Sequence, residues 1–191
     1  KSELIIECID RYDFTNIEIV FSVEKEPLGT GGALIHALNH INNDNFVFMN
    51  GDTMFDIPIK QLYSMHKNKN NDLTYSLSEL ETQHTEYGGL SLDKNGKVTE
   101  HVIEKSNSGN QIIDAGLRVV NKKSLLEYQN TQKPNSFISF EHEIAPWLIK
   151  NKNVSGELFD SIFFDIGNPK SYSYTTKYFA KIKNKIMITN E

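Results

Sequence analysis

The sequence predicts an α/β fold with a mainly parallel central sheet, and three observations carry that expectation. Residues 17–23 (IEIVFSV), the glycine-rich turn 28–32 (LGTGG), an apolar stripe through Leu34, Ala37, Leu38 and Ile41, and the run 46–49 (FVFM) succeed one another as strand, turn, helix and strand, the order of a βαβ unit. The run 46–49 has no polar interruption, as expected of a strand covered on both faces. Asp52 and Asp165 each close an apolar, strand-like segment and lie within two residues of a glycine. In an open α/β sheet, ligands gather outside the carboxyl ends of the strands.

The remaining elements follow in chain order. Leu4, Ile5, Cys8 and Ile9 share one face of an opening helix, where Cys8 is expected as a small buried hydrophobe. The glycine turn opens a helix over about 33–40, and a further helix is expected over about 59–67. A strand is expected at 72–78. Segments 89–92 and 97–103 flank Asp93-Lys94-Asn95-Gly96, and Asn-Gly between such segments signals a hairpin. A strand over 112–120 precedes a short helix over about 123–128. Ser139 caps a helix whose first turn carries Glu141 and Glu143, the side a helix dipole favours, and Pro146 limits or kinks it. A strand over 158–164 ends at Asp165. Asn168 and Pro169 then supply the N-cap and first residue of the last helix. With no repeat, low-complexity tract or linker, residues 1–191 are expected to form one domain.

Composition narrows the function. A hydrophobic fraction of 38% with eleven Phe and eight Tyr can build a core and excludes a disordered chain. The net charge is −5, and the basic residues from Lys177 to Lys185 are spaced like a solvated helix face, so no nucleic-acid partner is expected. There is no apolar run here long enough to span a bilayer, and no signal peptide is expected. One cysteine excludes an internal disulfide framework and fits a reducing, cytoplasmic setting.

Several residues could carry chemistry. Asp52, after a buried strand and Gly51, and Asp165 at a second strand end could hold one hard divalent cation such as Mg²⁺ between them and bridge it to phosphates. Asp52 alone could equally cap a turn, and Asp165 could serve the helix at Asn168. The turn 29–32 begins a helix, so its amides suit an anion or the polar edge of a base. It is no Walker loop, because no Gly-Lys-Ser/Thr follows, and a plain tight turn is the other reading. Glu104 could take sugar hydroxyls and Lys105 a phosphate, although from spacing alone a surface ion pair is the simpler reading. His36 and His40 lie one helical turn apart, but lack the Glu and third ligand of a zinc site.

Six short pieces, 26–33 (EPLGTGGA), 50–52 (NGD), 87–88 (YG), 104–105 (EK), 114–116 (DAG) and 165–167 (DIG), stand in the order found in sugar-1-phosphate nucleotidylyltransferases. The chain resembles that family over nearly its whole length, and its first piece is most similar to the branch that makes GDP-mannose or GDP-manno-heptose. The resemblance implies the Rossmann-like nucleotide-diphospho-sugar transferase sandwich with a mixed, mainly parallel sheet. It implies that a sugar 1-phosphate attacks the α-phosphorus of a nucleoside triphosphate, GTP in this branch, and that pyrophosphate leaves. By the same resemblance Asp52 and Asp165 hold Mg²⁺, and Glu26, Gly29, Thr30, Gly31 and Gly51 form the nucleotide site. Gly88, Glu104 and Asp114 hold sugar hydroxyls, and Lys105 holds the sugar phosphate.

Two departures qualify the resemblance. The family usually has Asn at the position of Asp114; an ionised Asp only accepts hydrogen bonds and adds negative charge. The family also opens with a glycine-rich loop carrying an Arg and a following Lys, which grip the triphosphate. Neither is in this chain, so the catalytic residues stay unassigned, and the chain as written is expected to lack normal turnover. An incomplete sheet would expose edges, which makes a homo-oligomer one expected state. Alternatives are thymidylyl-, uridylyl- or cytidylyltransferases of the same fold, and a non-catalytic module that binds a sugar nucleotide. A related glycosyltransferase fits less well, because Asp52 and Asp56 have the wrong spacing for an Asp-x-Asp metal motif.

Overall fold

The computed structural model describes residues 1–12, 14, 16–80, 89–102, 111–133 and 136–188. Its centre is a four-stranded sheet in the order β1-β6-β3-β7, from β1 (Asn45–Met49), β3 (Leu73–Leu80), β6 (Gln111–Asn121) and β7 (Val154–Leu158). β6 runs antiparallel to both β1 and β3, and β3 pairs in parallel with β7. Strands β1, β3 and β7 therefore point one way and β6 alone is reversed. The sheet is mixed as expected, yet only one of its three ladders is parallel, because the reversed strand is inserted between two co-directional ones.

Helices cover both faces. Tyr75, Leu77, Val120 and Val154 of the sheet pack with Leu34 and Leu38, with Leu125, and with Phe140, Ile144 and Leu148. These come from α2 (Gly29–Ala37) and the 3₁₀ turn after it, α4 (Lys122–Gln129), and the turn that leads into α5 (Ala145–Asn151). On the other face Leu117 and Val119 pack with Phe55, Ile57 and Leu62, the last from α3 (Ile59–Asn68). Val119 and Val120 are consecutive and enter opposite clusters, as the period of two in a strand requires. Burial of each such side chain contributes about 1.5–3 kcal/mol.

Among the described residues, two short ribbons accompany this sheet. β4 (Gly89–Leu92) and β5 (Val98–Val102) form the expected hairpin. The carboxylate of Asp93 accepts the amides of Asn95 and Lys97 in its turn, and these bonds hold the Asp93 carboxyl below its usual range. β2 (Thr53–Phe55) pairs antiparallel with β8 (Phe163–Asp165). The single strand expected at 158–164 is thus split into β7 and β8, which belong to different sheets. The last helix, α6 (Pro169–Ile188), starts where expected, with the Asn168 side chain accepting the amides of Lys170 and Ser171. No helix among the described residues is long and apolar enough to cross a membrane.

Three expectations are corrected. Residues 17–23 belong to no described strand, and Ile17, Val20 and Val23 are exposed; alternating apolar residues favour an extended chain, but a strand also needs a hydrogen-bonding neighbour. Helix α1 (Ser2–Ile9) forms but buries nothing, so Cys8 is exposed rather than packed. Strand β1 is half-buried rather than covered on both faces, because among the described residues it pairs on one side only.

Candidate active site

Helix α2 begins on the glycines themselves. Gly29 has a φ of +77°, and a Cβ there would stand 2.5 Å from the carbonyl oxygen of Ile138, so only glycine lets the two backbones approach this closely. The amides of Gly31 and Gly32 both donate to Ile138 O, at 2.9 and 3.1 Å, and Ile138 N donates back to Leu28 O. These amides are therefore engaged within the fold, a correction to the expectation that the whole turn faces a ligand: the 136–139 segment satisfies the helix's unpaired first-turn donors. The amides of Gly29 and Thr30 are the first-turn donors not directed at Ile138. The Leu28 amide donates to Glu24 at 2.9 Å, while Glu26 is exposed beside the turn.

The Thr30 hydroxyl accepts the Phe140 amide and donates to Glu141 Oε2, both at 2.9 Å. Ser139 caps this turn as expected, accepting the His142 amide. The turn Phe140–Ile144 is wound as a π-helix before α5 begins. That places Glu141 beside Thr30 and faces its Oε1 toward Arg118 Nη2, 3.8 Å away.

Arg118 sits in the middle of β6 and is 2% exposed. Opposite β3 the register passes from Tyr75↔Arg118 to Leu77↔Asp114, so β6 bulges around Gly116. Gly116 has a φ of +77°, and a Cβ would stand 2.4 Å from Thr53 Oγ1, which makes glycine obligatory at the bulge. Across it Arg118 Nε and Nη2 reach Asp114 Oδ2 at 2.6 and 2.5 Å. The Gly116 amide donates to Asp114 Oδ1 at 3.0 Å. Arg118 Nη1 donates to Asn50 Oδ1 at 3.2 Å, and Asn50 N donates to Gly116 O at 2.8 Å. The guanidinium lies 4.8 Å from the Phe140 ring centre and 5.1 Å from that of Phe48. Burial is the largest single influence on Arg118 and opposes its charge, but Asp114, Tyr75 and Glu141 together outweigh it and the pKa is raised. Burial lowers the pKa of nearby His101 and raises that of Tyr75.

The sequence singled out Asp114 for a substrate; the structure gives its carboxylate a prior occupation, as the counter-ion of Arg118. Sequence reading missed Arg118 and Glu24, quoted Asn50 only within the 50–52 piece and without a role, and saw Glu141 only as a helix-dipole charge. A charged pair four residues apart within an otherwise apolar strand was the available signal. Nothing marked Glu24.

Asn50 leads directly to the carboxylates. Thr53 pairs with Asp165 in the β2–β8 ribbon, and Ile166 N donates to Asp52 O at 2.9 Å. A Cβ on Gly167 would stand 3.0 Å from Asp165 Oδ1 and 3.1 Å from Asp52 Oδ2. Both oxygens therefore lie near the Gly167 backbone, where Asp165 Oδ1 also accepts the Gly167 amide. Two carboxylate oxygens facing one small space suit a divalent cation that prefers oxygen and keeps several waters. Among the described residues these two Asp are not joined by a third acidic, His or Cys ligand. At Gly51 a Cβ would meet nothing within 4 Å, so the backbone beside Asp52 is open to approach. Gly88, Glu104 and Lys105 lie outside the described residues.

A helix started on a glycine turn, a carboxylate pair beside a strand tip and a mixed sheet covered on both faces define a nucleotide-handling α/β protein. The chain belongs to the nucleotidyl transferase family, whose model matches residues 1–181. It is similar to the D-glycero-alpha-D-manno-heptose 1-phosphate guanylyltransferase of Campylobacter jejuni, with 31% identity over 175 residues, covering 90% of this chain and 72% of that protein. The enzyme of the same name from Aneurinibacillus thermoaerophilus is 29% identical over 86% of this chain and 68% of its own. The mannose-1-phosphate guanyltransferase of Saccharomyces cerevisiae is 29% identical over 90% of this chain, but the match spans only 47% of that protein. Among solved structures, HddC from Yersinia pseudotuberculosis shares the fold with a TM-score of 0.80 and 29% identity, over 94% of this chain and 75% of that one. HddC has also been solved in complex with GMP-PN.

Proposed function

We propose that the protein transfers GMP from GTP to a manno-configured sugar 1-phosphate, forming a GDP-sugar and releasing pyrophosphate, in the cytoplasm and with Mg²⁺. The observation that carries this reading is the position of Asp52 Oδ2 and Asp165 Oδ1 beside the same residue, Gly167. Family membership and the guanylyltransferase relatives support the reaction class and the base.

Asp52 and Asp165 would hold the Mg²⁺, which when bound neutralises charge on phosphoryl oxygens. Gly29 and Thr30 direct two helix-N-terminal amides toward the nucleotide, where such donors favour an anion or the acceptor edge of a base. Gly31 supports them through Ile138. Exposed Glu26 borders the same turn, as an acceptor for the donor groups of guanine, and Gly51 lets the nucleotide approach the backbone. Gly88, Glu104 and Lys105 take the sugar hydroxyls and phosphate. Asp114 would border that subsite, and its charge is balanced by Arg118, which lessens repulsion of a phosphate.

The test is a matrix of nucleoside triphosphates against mannose 1-phosphate and manno-heptose 1-phosphates, with the full-length gene product and Mg²⁺, reading pyrophosphate. Release with GTP is expected. Release with dTTP, UTP or CTP alone would reassign the base, and none with any nucleotide would leave a binding module.

A further inference from the structure

We infer that Arg118 is a positioning residue that fixes the distance between the glycine turn and the Asp52–Asp165 pair. The inference rests on the guanylyltransferase reading, because it assigns Arg118 a task only if those two regions act on one nucleotide.

Three groups meet at this guanidinium, and each sits next to a proposed site group. Asn50, which accepts from Nη1, is two residues from Asp52. Glu141, which faces Nη2, holds the Thr30 hydroxyl of the glycine turn. Asp114, which accepts from Nε and Nη2, braces the bulge whose Gly116 carbonyl takes the Asn50 amide. The contacts therefore run without a break from Thr30 to the residue beside Gly51. The rings of Phe48 and Phe140 limit how the guanidinium can tilt.

Packing alone does not account for an arginine here. A buried ion pair gives up the hydration of both charges, and apolar side chains of like volume commonly stabilise a core as well or better. What the planar fork supplies is direction: donors at fixed angles that reach Asp114 through Nε and Nη2, reach Asn50 through Nη1, and face Glu141.

The double variant Asp114→Asn/Arg118→Met removes the buried charges together and keeps the volume. If Arg118 positions the site, this variant melts near the wild-type temperature, yet its KM for GTP and its half-saturating Mg²⁺ concentration both rise. Its kcat/KM then falls roughly tenfold to hundredfold, as small misplacements of reacting groups do. R118K keeps the charge without the fork and is expected to shift both constants the same way, by less. A purely structural role predicts a changed melting temperature with both constants at their wild-type values. That outcome, in the double variant or, should it not fold, in R118K, overturns the inference. An active wild-type enzyme with unaffected variants removes the positioning role alone. A wild-type protein that releases no pyrophosphate removes the underlying reading, and this role with it.

Discussion

The two charged regions of the site are settled in opposite ways. Around Arg118 a buried cation is matched by Asp114, backed by Glu141 and enclosed by aromatic rings. Near Gly167 two carboxylate oxygens stand beside one backbone position, Asp165 Oδ1 also accepting the Gly167 amide, and like charges placed near each other repel. The first region resembles a brace; the second is the seat proposed for a divalent cation. The sharpest break of this contrast is Asp52→Asn or Asp165→Asn. Each is expected to lower pyrophosphate release by about a thousandfold, or ~4 kcal/mol in the barrier, with a melting temperature unchanged or slightly raised as repulsion is relieved. A variant that loses stability but keeps turnover would make the pair structural.

The opposite signature is expected at the brace. Asp114→Ala strands the Arg118 charge in a buried setting, and breaking such a pair from one side costs about 3–5 kcal/mol. Urea unfolding reads this as a lower midpoint with little change in slope. A loss below about 1 kcal/mol would mean that the pair behaves like a surface ion pair, and the contrast would fail on that side.

How far the sequence reached follows the same division. Periodicity and turn chemistry located the helices and most strands, because those signals are local: Asn168-Pro169 opens α6, and Asp93 to Gly96 closes the hairpin. The carboxylates could be singled out as candidates because each closes an apolar run near a glycine. The partners of Arg118 were not, since Thr30 and Glu141 are 111 residues apart and only the π-helical turn after Ser139 brings them together. Residues 17–23 failed for a related reason: alternation describes a strand's faces and says nothing about its hydrogen-bonded neighbours. The split of 158–164 into β7 and β8 depends on pairing with β3 and β2, which no local pattern encodes.

A third test belongs to the packed side of the sheet. His66 is 1% exposed, and its ring nitrogens face Thr74 Oγ1 at 2.9 Å and Asn45 Oδ1 at 3.0 Å. Burial lowers its pKa from 6.5 to about 4, against a smaller opposing pull from Asp72. The folded protein therefore keeps His66 neutral where the unfolded chain takes a proton. Stability is complete above the unfolded value and declines as pH falls from about 6.5 to about 4, after which this group has no further effect. The loss across that window is on the order of 3 kcal/mol. Urea midpoints at pH 7, 5.5 and 4 should show it. His66→Gln, which can still hydrogen-bond but does not titrate, should flatten that part of the slope.

The smallest change tests the open region most directly. Gly167 is not among the positive-φ glycines, so Ala fits its backbone, and reduced freedom of the unfolded chain should stabilise the fold by about 0.4–1 kcal/mol. Its methyl group, however, would occupy the point that lies 3.0 Å from Asp165 Oδ1 and 3.1 Å from Asp52 Oδ2. The carboxylates would have to draw back by a few tenths of an ångström, and a cation they share would lose its seat. Gly167→Ala is therefore expected to weaken Mn²⁺ binding roughly tenfold, about 1.4 kcal/mol, while melting at or slightly above the wild-type temperature. Gly116→Ala is the control with the reverse pattern: its φ of +77° and the 2.4 Å approach of Thr53 Oγ1 predict lost stability first. If Gly167→Ala binds Mn²⁺ as wild type does, the two oxygens do not share an ion, and the difference between brace and cation seat disappears.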